Sequence, residues 1–235
     1  MITWRIHHKA ETASTNLDAR EGVHGDVFTA DYQTAGRGRL DHKWLSPANT
    51  NLMMSVVLSV AGLAPEQVAT LPLVAGLSVV KALDLNCQLK WPNDVLVNGR
   101  KLAGILCERQ GGTVIVGIGV NVGQTEFDQE IADRATSLAL SGRGDHSAES
   151  VRDVILAKLS QYYQSWVRGG FAAVYPEIAA VDVLKGRKIS VCQTDDDSAP
   201  LMGISNGIMD DGSLDVGGTR VYAGEAQCGF WNATC

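Results

Sequence analysis

Apolar residues recur with two different periods along the chain, and the switches between them mark out the elements. Ile2, Trp4 and Ile6 alternate with Thr3, Arg5 and His7, the pattern of a half-buried strand. Residues 11–16 are rich in hydroxyl and amide groups and predict a turn leading into a helix. Residues 27–32 read as a short strand and residues 51–60 as a strongly apolar central one. From Pro65 onward, Val68, Leu71, Val74, Leu77 and Val80 keep three-residue steps, which predicts one helix over 65–83. Pro65 suits its start, whereas Pro72 disfavours its first half.

A run of hairpin signals follows. Residues 89–91 and 95–97 are strands on either side of the Pro92-Asn93-Asp94 bend, and Asn98-Gly99 is a strong hairpin turn. Residues 101–108 and 113–122 flank Gly111-Gly112, and such tight turns require antiparallel neighbours. Residues 147–167 form an amphipathic helix with Val151, Val154, Ile155, Leu159, Tyr162 and Trp166 inward and Gly169-Gly170 as its stop. The pattern predicts an α+β fold, a mostly antiparallel sheet with packed helices. Around Lys185 the texture changes. Short apolar runs at 189–191, 201–204, 213–216 and 221–223 alternate with glycine turns, which predicts a small β-barrel over 185–235 appended to a main domain of 1–184.

Composition narrows the class. With 235 residues, 45% apolar and 20% charged, the chain can bury a core, and collagen-like, disordered and coiled-coil classes are excluded. No apolar run suits a membrane span and the N-terminus has no signal-peptide character, so a cytoplasmic protein without a membrane partner is expected. Cys87, Cys107, Cys192, Cys228 and Cys235 have no regular spacing, which argues against a disulfide framework or zinc site and for a reducing compartment. A net charge of -6 argues against a general nucleic-acid binder but leaves room for a local cationic site.

The chain has no P-loop, and the spacing of Gly117, Gly119 and Gly123 does not fit a dinucleotide fingerprint. Four polar islands interrupt the apolar strands instead. Gly36-Arg37-Gly38-Arg39 with Trp44 offers guanidinium charge and backbone amides to an anion, though a solvated loop with a core tryptophan would read the same. Lys90-Trp91-Pro92-Asn93-Asp94 delivers an amide and a carboxylate from a strand end, or is merely a turn. Lys101 opens the run to Glu108 with Gly104 three residues on, which fits an anion held against backbone or simply a strand-end cap. Gly117 and Gly119 weaken the strand leading to Asn121, as a ligand lying across it, a bulge or tight packing would require.

Together these islands, with Ser14-Thr15-Asn16 and Gln33, resemble the biotin–protein ligases (biotin–acetyl-CoA-carboxylase synthetases) in order and spacing across most of residues 1–125. Asp211-Gly-Ser-Leu and Gly224-Glu225 are weaker echoes. The resemblance implies a class II synthetase-like catalytic domain with an SH3-like C-terminal barrel. It implies that biotin and ATP, with Mg²⁺, form biotinyl-5'-AMP, and that biotin then passes to a lysine of a biotin carboxyl carrier protein. Lys101, Asp94 and Arg37 are the implied catalytic residues. Biotin would be bound by Ser14, Thr15, Asn16, Gln33, Arg37, Gly38, Arg39, Lys101, Gly104, Gly117 and Gly119, the last two leaving room for its flat bicycle. ATP would meet Arg39, Trp44, Asn93, Lys101 and Asn121. Asp94 would orient or deprotonate the acceptor lysine, and the Gly-Arg loop would act as a lid. No DNA partner is expected, because the stretch before Ser14 is too short for the helix-turn-helix of some relatives. A homodimer is compatible with the resemblance. The chain departs from the family in having His42 where many relatives carry a basic residue, which puts the loop's grip on phosphate in doubt. A lipoate–protein ligase and a non-catalytic biotin-binding regulator are the competing expectations.

Overall fold

The computed structural model describes residues 2–40, 42–83, 85–192 and 199–228. The chain opens with strand β1 (Arg5–Thr12), short helix α1 (Thr15–Asp18), β2 (Asp26–Gln33) and β3 (Leu52–Ser59). Helices α2 (Pro65–Ala69) and α3 (Leu71–Ala82) lead to β4 (Cys87–Lys90), β5 (Asp94–Val97), β6 (Arg100–Gln110) and β7 (Thr113–Val120). Helices α4 (Ala148–Gly169) and α5 (Tyr175–Ala180) precede β8 (Lys188–Cys192), β9 (Leu201–Ile208), β10 (Leu214–Val216), β11 (Thr219–Val221) and β12 (Glu225–Cys228). Among the described residues, no helix is long and apolar enough to cross a membrane.

The seven-stranded main sheet runs β1-β2-β3-β7-β6-β5-β4 and is antiparallel except for the β1–β2 pair. Strand β3 is a continuous apolar run because both of its faces are covered. Leu52, Met54, Val56 and Leu58 enter the main core with α3 and α4, while Val57 packs with Ala19 and Ile115 on the opposite face. Asn98 and Gly99 both take positive φ (50° and 78°), the backbone that a two-residue hairpin turn requires.

The structure corrects several expectations. The first strand starts at Arg5 rather than Ile2 and runs through Thr12, at the sheet's exposed edge, so Ile6 is solvent-facing while Ile2 and Trp4 pack on the core. The expected single helix is two, because Pro72 cannot continue a helix but suits a first turn. Thr70 sits at the break, donating to the Gln67 carbonyl and accepting from Trp166 Nε1. Ser147 caps α4 with a reciprocal Ser147–Ser150 box, and Val154, expected inward, is exposed. Cys192 is disulfide-bonded, which the sequence did not suggest, while Cys87, Cys107 and Cys228 are free.

The C-terminal strands form a five-stranded sheet, order β11-β10-β9-β8-β12, with β12 an addition to the strands expected there. Among the described residues no pairing joins β11 to β12, so this sheet is open where a closed barrel was expected. Residues 193–198 and 229–235 of the expected C-terminal domain, Cys235 included, lie outside the described residues. Ile189, Val191, Leu214 and Val216 belong to the same core as α3, so the small sheet is packed onto the main one. Trp91 Nε1 bonds the Gly212 carbonyl at 3.1 Å across that junction.

Candidate active site

Three glycines make a gap in the side-chain layer of the main sheet. The β6–β7 register sets Gly104 opposite Gly119, with Gly117 two residues back on the same face. The gap is filled by protein groups. A β-carbon on Gly117 would collide with Asn16 Oδ1, and one on Gly119 would stand 2.5 Å from Trp44 Cε2. The space expected for a flat ligand is thus taken, over these two glycines, by the Asn16 amide and the Trp44 indole. The indole N–H of Trp44 is buried with no hydrogen-bond partner among the described residues. Such an orphaned donor costs free energy until an acceptor reaches it.

A hydroxyl–amide network covers one side of the cavity. Thr15 donates to Gln33 Oε1 from its backbone N (2.7 Å) and from Oγ1 (3.1 Å). The Ser55 hydroxyl lies 2.7 Å from Thr15 Oγ1 and 2.5 Å from Asn16 Oδ1. Asn16 Nδ2 donates to Glu108 Oε2 at 2.5 Å. Ser14, Thr15, Asn16 and Ser55 are all buried, and Thr15, Asn16 and Ser55 each donate to an acceptor within this network, as buried polar groups require.

The opposite side is cationic. Gly38 N donates to the His42 carbonyl at 2.6 Å and Trp44 N to the Gly36 carbonyl at 3.0 Å, which ties residues 36–38 to residues 42–44. Arg37 reaches Glu108 Oε1 at 3.3 Å; Arg39 reaches Asn93 Oδ1 at 3.4 Å and the Gly224 carbonyl at 3.3 Å. His42 Nδ1 lies 3.8 Å from Glu225 Oε1, so the small sheet touches this loop. Asp94 is clamped between two ammoniums, with Lys101 Nζ 2.7 Å from Oδ1 and Lys90 Nζ 3.7 Å from Oδ2. Burial opposes ionisation of Asp94, but Lys101 and Lys90, aided by the Lys101 hydrogen bond and the Arg39 charge, hold its carboxyl below the usual range. Burial pulls Lys90 down from its ordinary value against the attraction of Asp94.

One cavity collects nearly every expected residue. Its lining includes Ser14, Thr15, Asn16 and Gln33, the loop residues Arg37, Gly38, Arg39 and Trp44, and Asn93, Asp94, Lys101, Gly104, Gly117 and Gly119. Asn121 is apart from it: its amide donates to the Thr136 carbonyl at 2.9 Å inside the fold. Lys43, Met53, Met54, Ile105, Leu106, Ile118 and Glu225 also line the cavity and were not expected to. Lys43 stands beside His42, so the loop does carry a third basic side chain. Ser55 was legible as a lone hydroxyl inside an apolar strand.

A mostly antiparallel sheet with one parallel edge pair thus holds a hydroxyl–amide pocket and a cationic loop around one cavity. In fold, the chain is similar to the biotin protein ligase from Aquifex aeolicus solved with biotin and ATP, at TM-score 0.84 and 30% identity over 95% of this chain and 97% of that one. The chain belongs to the Biotin/lipoate A/B protein ligase family, whose pattern matches residues 5–124. It is 33% identical over 234 residues to the biotin--[acetyl-CoA-carboxylase] ligase of Mycobacterium tuberculosis, covering 93% of this chain and 86% of that protein. It is 34% identical over 170 residues to the bifunctional ligase/repressor BirA of Bacillus subtilis, covering 68% of this chain and 51% of BirA. The chain therefore spans about half the length of that relative.

Proposed function

We propose that the chain joins biotin to ATP, forming biotinyl-5'-AMP and pyrophosphate, and then passes the biotinyl group to a lysine of a biotin carboxyl carrier protein in the cytoplasm. The observation that carries this reading is convergence: polar groups from Ser14 to Gly119 share one cavity with the cations of residues 37–43 and Lys101. In the first step a carboxylate attacks the α-phosphate of a polyanion. Arg37, Arg39 and Lys101 would offset that like-charge repulsion by preorganised electrostatics, where one well-placed donor is worth about 3 kcal/mol. Ser14, Thr15, Asn16 and Gln33 would pair the polar ring of biotin, which unpaired costs about 1–3 kcal/mol per buried group.

Trp44 lines the cavity, its indole N–H has no partner among the described residues, and it would meet the nucleotide with Arg39 and Asn93. Among the described residues no cluster of three acidic, His or Cys side chains could cage a metal, so Mg²⁺ would arrive on the ATP phosphates. Asp94 is a weak base between two ammoniums, which favours a role in orienting Lys101 and the acceptor amine by charge over removal of its proton. The test is incubation with biotin, MgATP and a carrier domain, followed by mass measurement of the carrier. One added biotinyl group, and none when lipoate replaces biotin, is the expected result. An unchanged carrier mass overturns the reading.

A further inference from the structure

We infer that Glu108, seven residues beyond Lys101 on β6, is a positioning residue that sets which way round the Asn16 amide sits and holds Arg37 beside it. The inference rests on the ligase reading and deepens it. Glu108 Oε2 accepts from Asn16 Nδ2 at 2.5 Å, and Oε1 accepts from Arg37 at 3.3 Å. An ionised carboxylate offers acceptors only, so the NH₂ end of the amide must face it. That turns Asn16 Oδ1 toward the Ser55 hydroxyl, 2.5 Å away. Ser55 both donates and accepts, so it would tolerate either end of the amide. The carboxylate makes the choice, because charge-assisted bonds are about twice as strong as neutral ones.

The rest of the site depends on that choice. The amide lies where a Gly117 side chain would be, so the bare glycine is what lets Asn16 stand there. A ureido ring carries two N–H donors and one carbonyl acceptor, and it distinguishes an amide in one orientation from the same amide reversed. Glu108 does not line the cavity; Asn16 and Arg37 do, one from the floor and one from the loop. One carboxylate thereby couples the polar pocket to the arginine loop.

The experiment is biotin-dependent ATP–pyrophosphate exchange by the wild type, Glu108→Gln and Glu108→Leu. Glu108→Gln keeps an acceptor for Asn16 but loses the charge that holds Arg37; Glu108→Leu loses both. The KM for biotin is expected to rise about threefold in the first and about tenfold or more in the second, with kcat within about twofold. In an Arg37→Ala background the Glu108→Gln step loses part of its effect, since one of the two partners has gone. A biotin KM unchanged in both variants, or a fall in kcat at constant KM, overturns the inference. If Glu108→Leu does not fold, Glu108→Gln carries the test by the same split of KM against kcat. A wild type without exchange overturns the ligase reading and this inference together, whereas wild-type exchange with an unchanged variant KM overturns this inference alone.

Discussion

The Trp44 indole lies against Gly119 so closely that a β-carbon there would stand 2.5 Å from Cε2 and 2.6 Å from Cζ2. Gly104 supports the same ring from the neighbouring strand, where a β-carbon would be 3.3 Å from Cζ3. Gly119→Ala is therefore expected to push the indole out of place, at about 1–3 kcal/mol of overpacking strain. The readouts are a shifted tryptophan emission and an MgATP KM raised about tenfold. Gly112→Ala is the control, since its β-carbon would meet only Ala61, at 3.7 Å. Equal behaviour of the two variants would remove Trp44 from the nucleotide side of the site.

Lys101→Ala removes the ammonium 2.7 Å from Asp94 and one of the cations facing the cavity. Pyrophosphate exchange should fall by roughly a hundredfold or more, the scale of losing one preorganised charge at a reacting phosphate. Asp94 keeps the Lys90 ammonium at 3.7 Å and the Arg39 charge but loses its nearest cation, so its carboxyl should titrate higher than before. Isotope exchange with saturating biotin and MgATP measures the first effect, and carboxyl NMR the second. Near-normal exchange would take Lys101 out of the chemistry.

Two carboxylates should make the fold sensitive to acid. Asp26 is pushed from 3.8 to about 2: its burial works against ionisation, but a backbone bond from Val23 and contacts with His7 and Arg5 outweigh it. Asp211 is likewise near 2, where burial is overcome by Ser213, Arg220 and Tyr222. A folded pKa below the unfolded one means stability that is present above 3.8 and lost as pH falls toward 2. Thermal midpoints should therefore drop over that window in the wild type. Asp26→Asn and Asp211→Asn should melt lower at neutral pH and show a shallower drop in acid. Parallel curves for variants and wild type would refute the assignment.

Much of this architecture was readable because local chemistry forces it. Asn98-Gly99 demands a hairpin, Gly111-Gly112 a second turn, and together they order β5, β6 and β7 before any tertiary contact is known. The site was readable as residue types but not as contacts. Nothing in the spacing of Gly117 and Gly119 says that Asn16 and Trp44 occupy the space above them, because Asn16 lies about a hundred residues before Gly117 in sequence and Trp44 about seventy-five before Gly119. Asn121 looked like part of the same motif, yet the strand ends at Val120 and the chain turns its amide inward to Thr136. Glu225 stood out only as a weak echo of the family, and its place at the cavity was hidden for the converse reason: it gets there because the small sheet packs beside the arginine loop, a docking that no local period encodes.

That docking has a testable anchor. Trp91 Nε1 donates to the Gly212 carbonyl at 3.1 Å, and Gly212 has φ +84° with its would-be β-carbon 2.7 Å from Thr70 Cγ2. Thr70 is itself held through its hydroxyl by Trp166 Nε1 at 2.9 Å, so its methyl is not free to swing away from the turn at Gly212. Trp91→Phe removes the bond while keeping most of the ring, and should lower stability by about 1–3 kcal/mol because it strands a carbonyl. Gly212→Ala adds left-handed backbone strain of about 1–2 kcal/mol to the clash with Thr70, so it should cost more. Both variants loosen one joint, so the double variant should lose less than the sum of the single losses. Urea midpoints of the four proteins decide it: strict additivity would mean that Trp91 and Gly212 act independently and that the small sheet is held elsewhere.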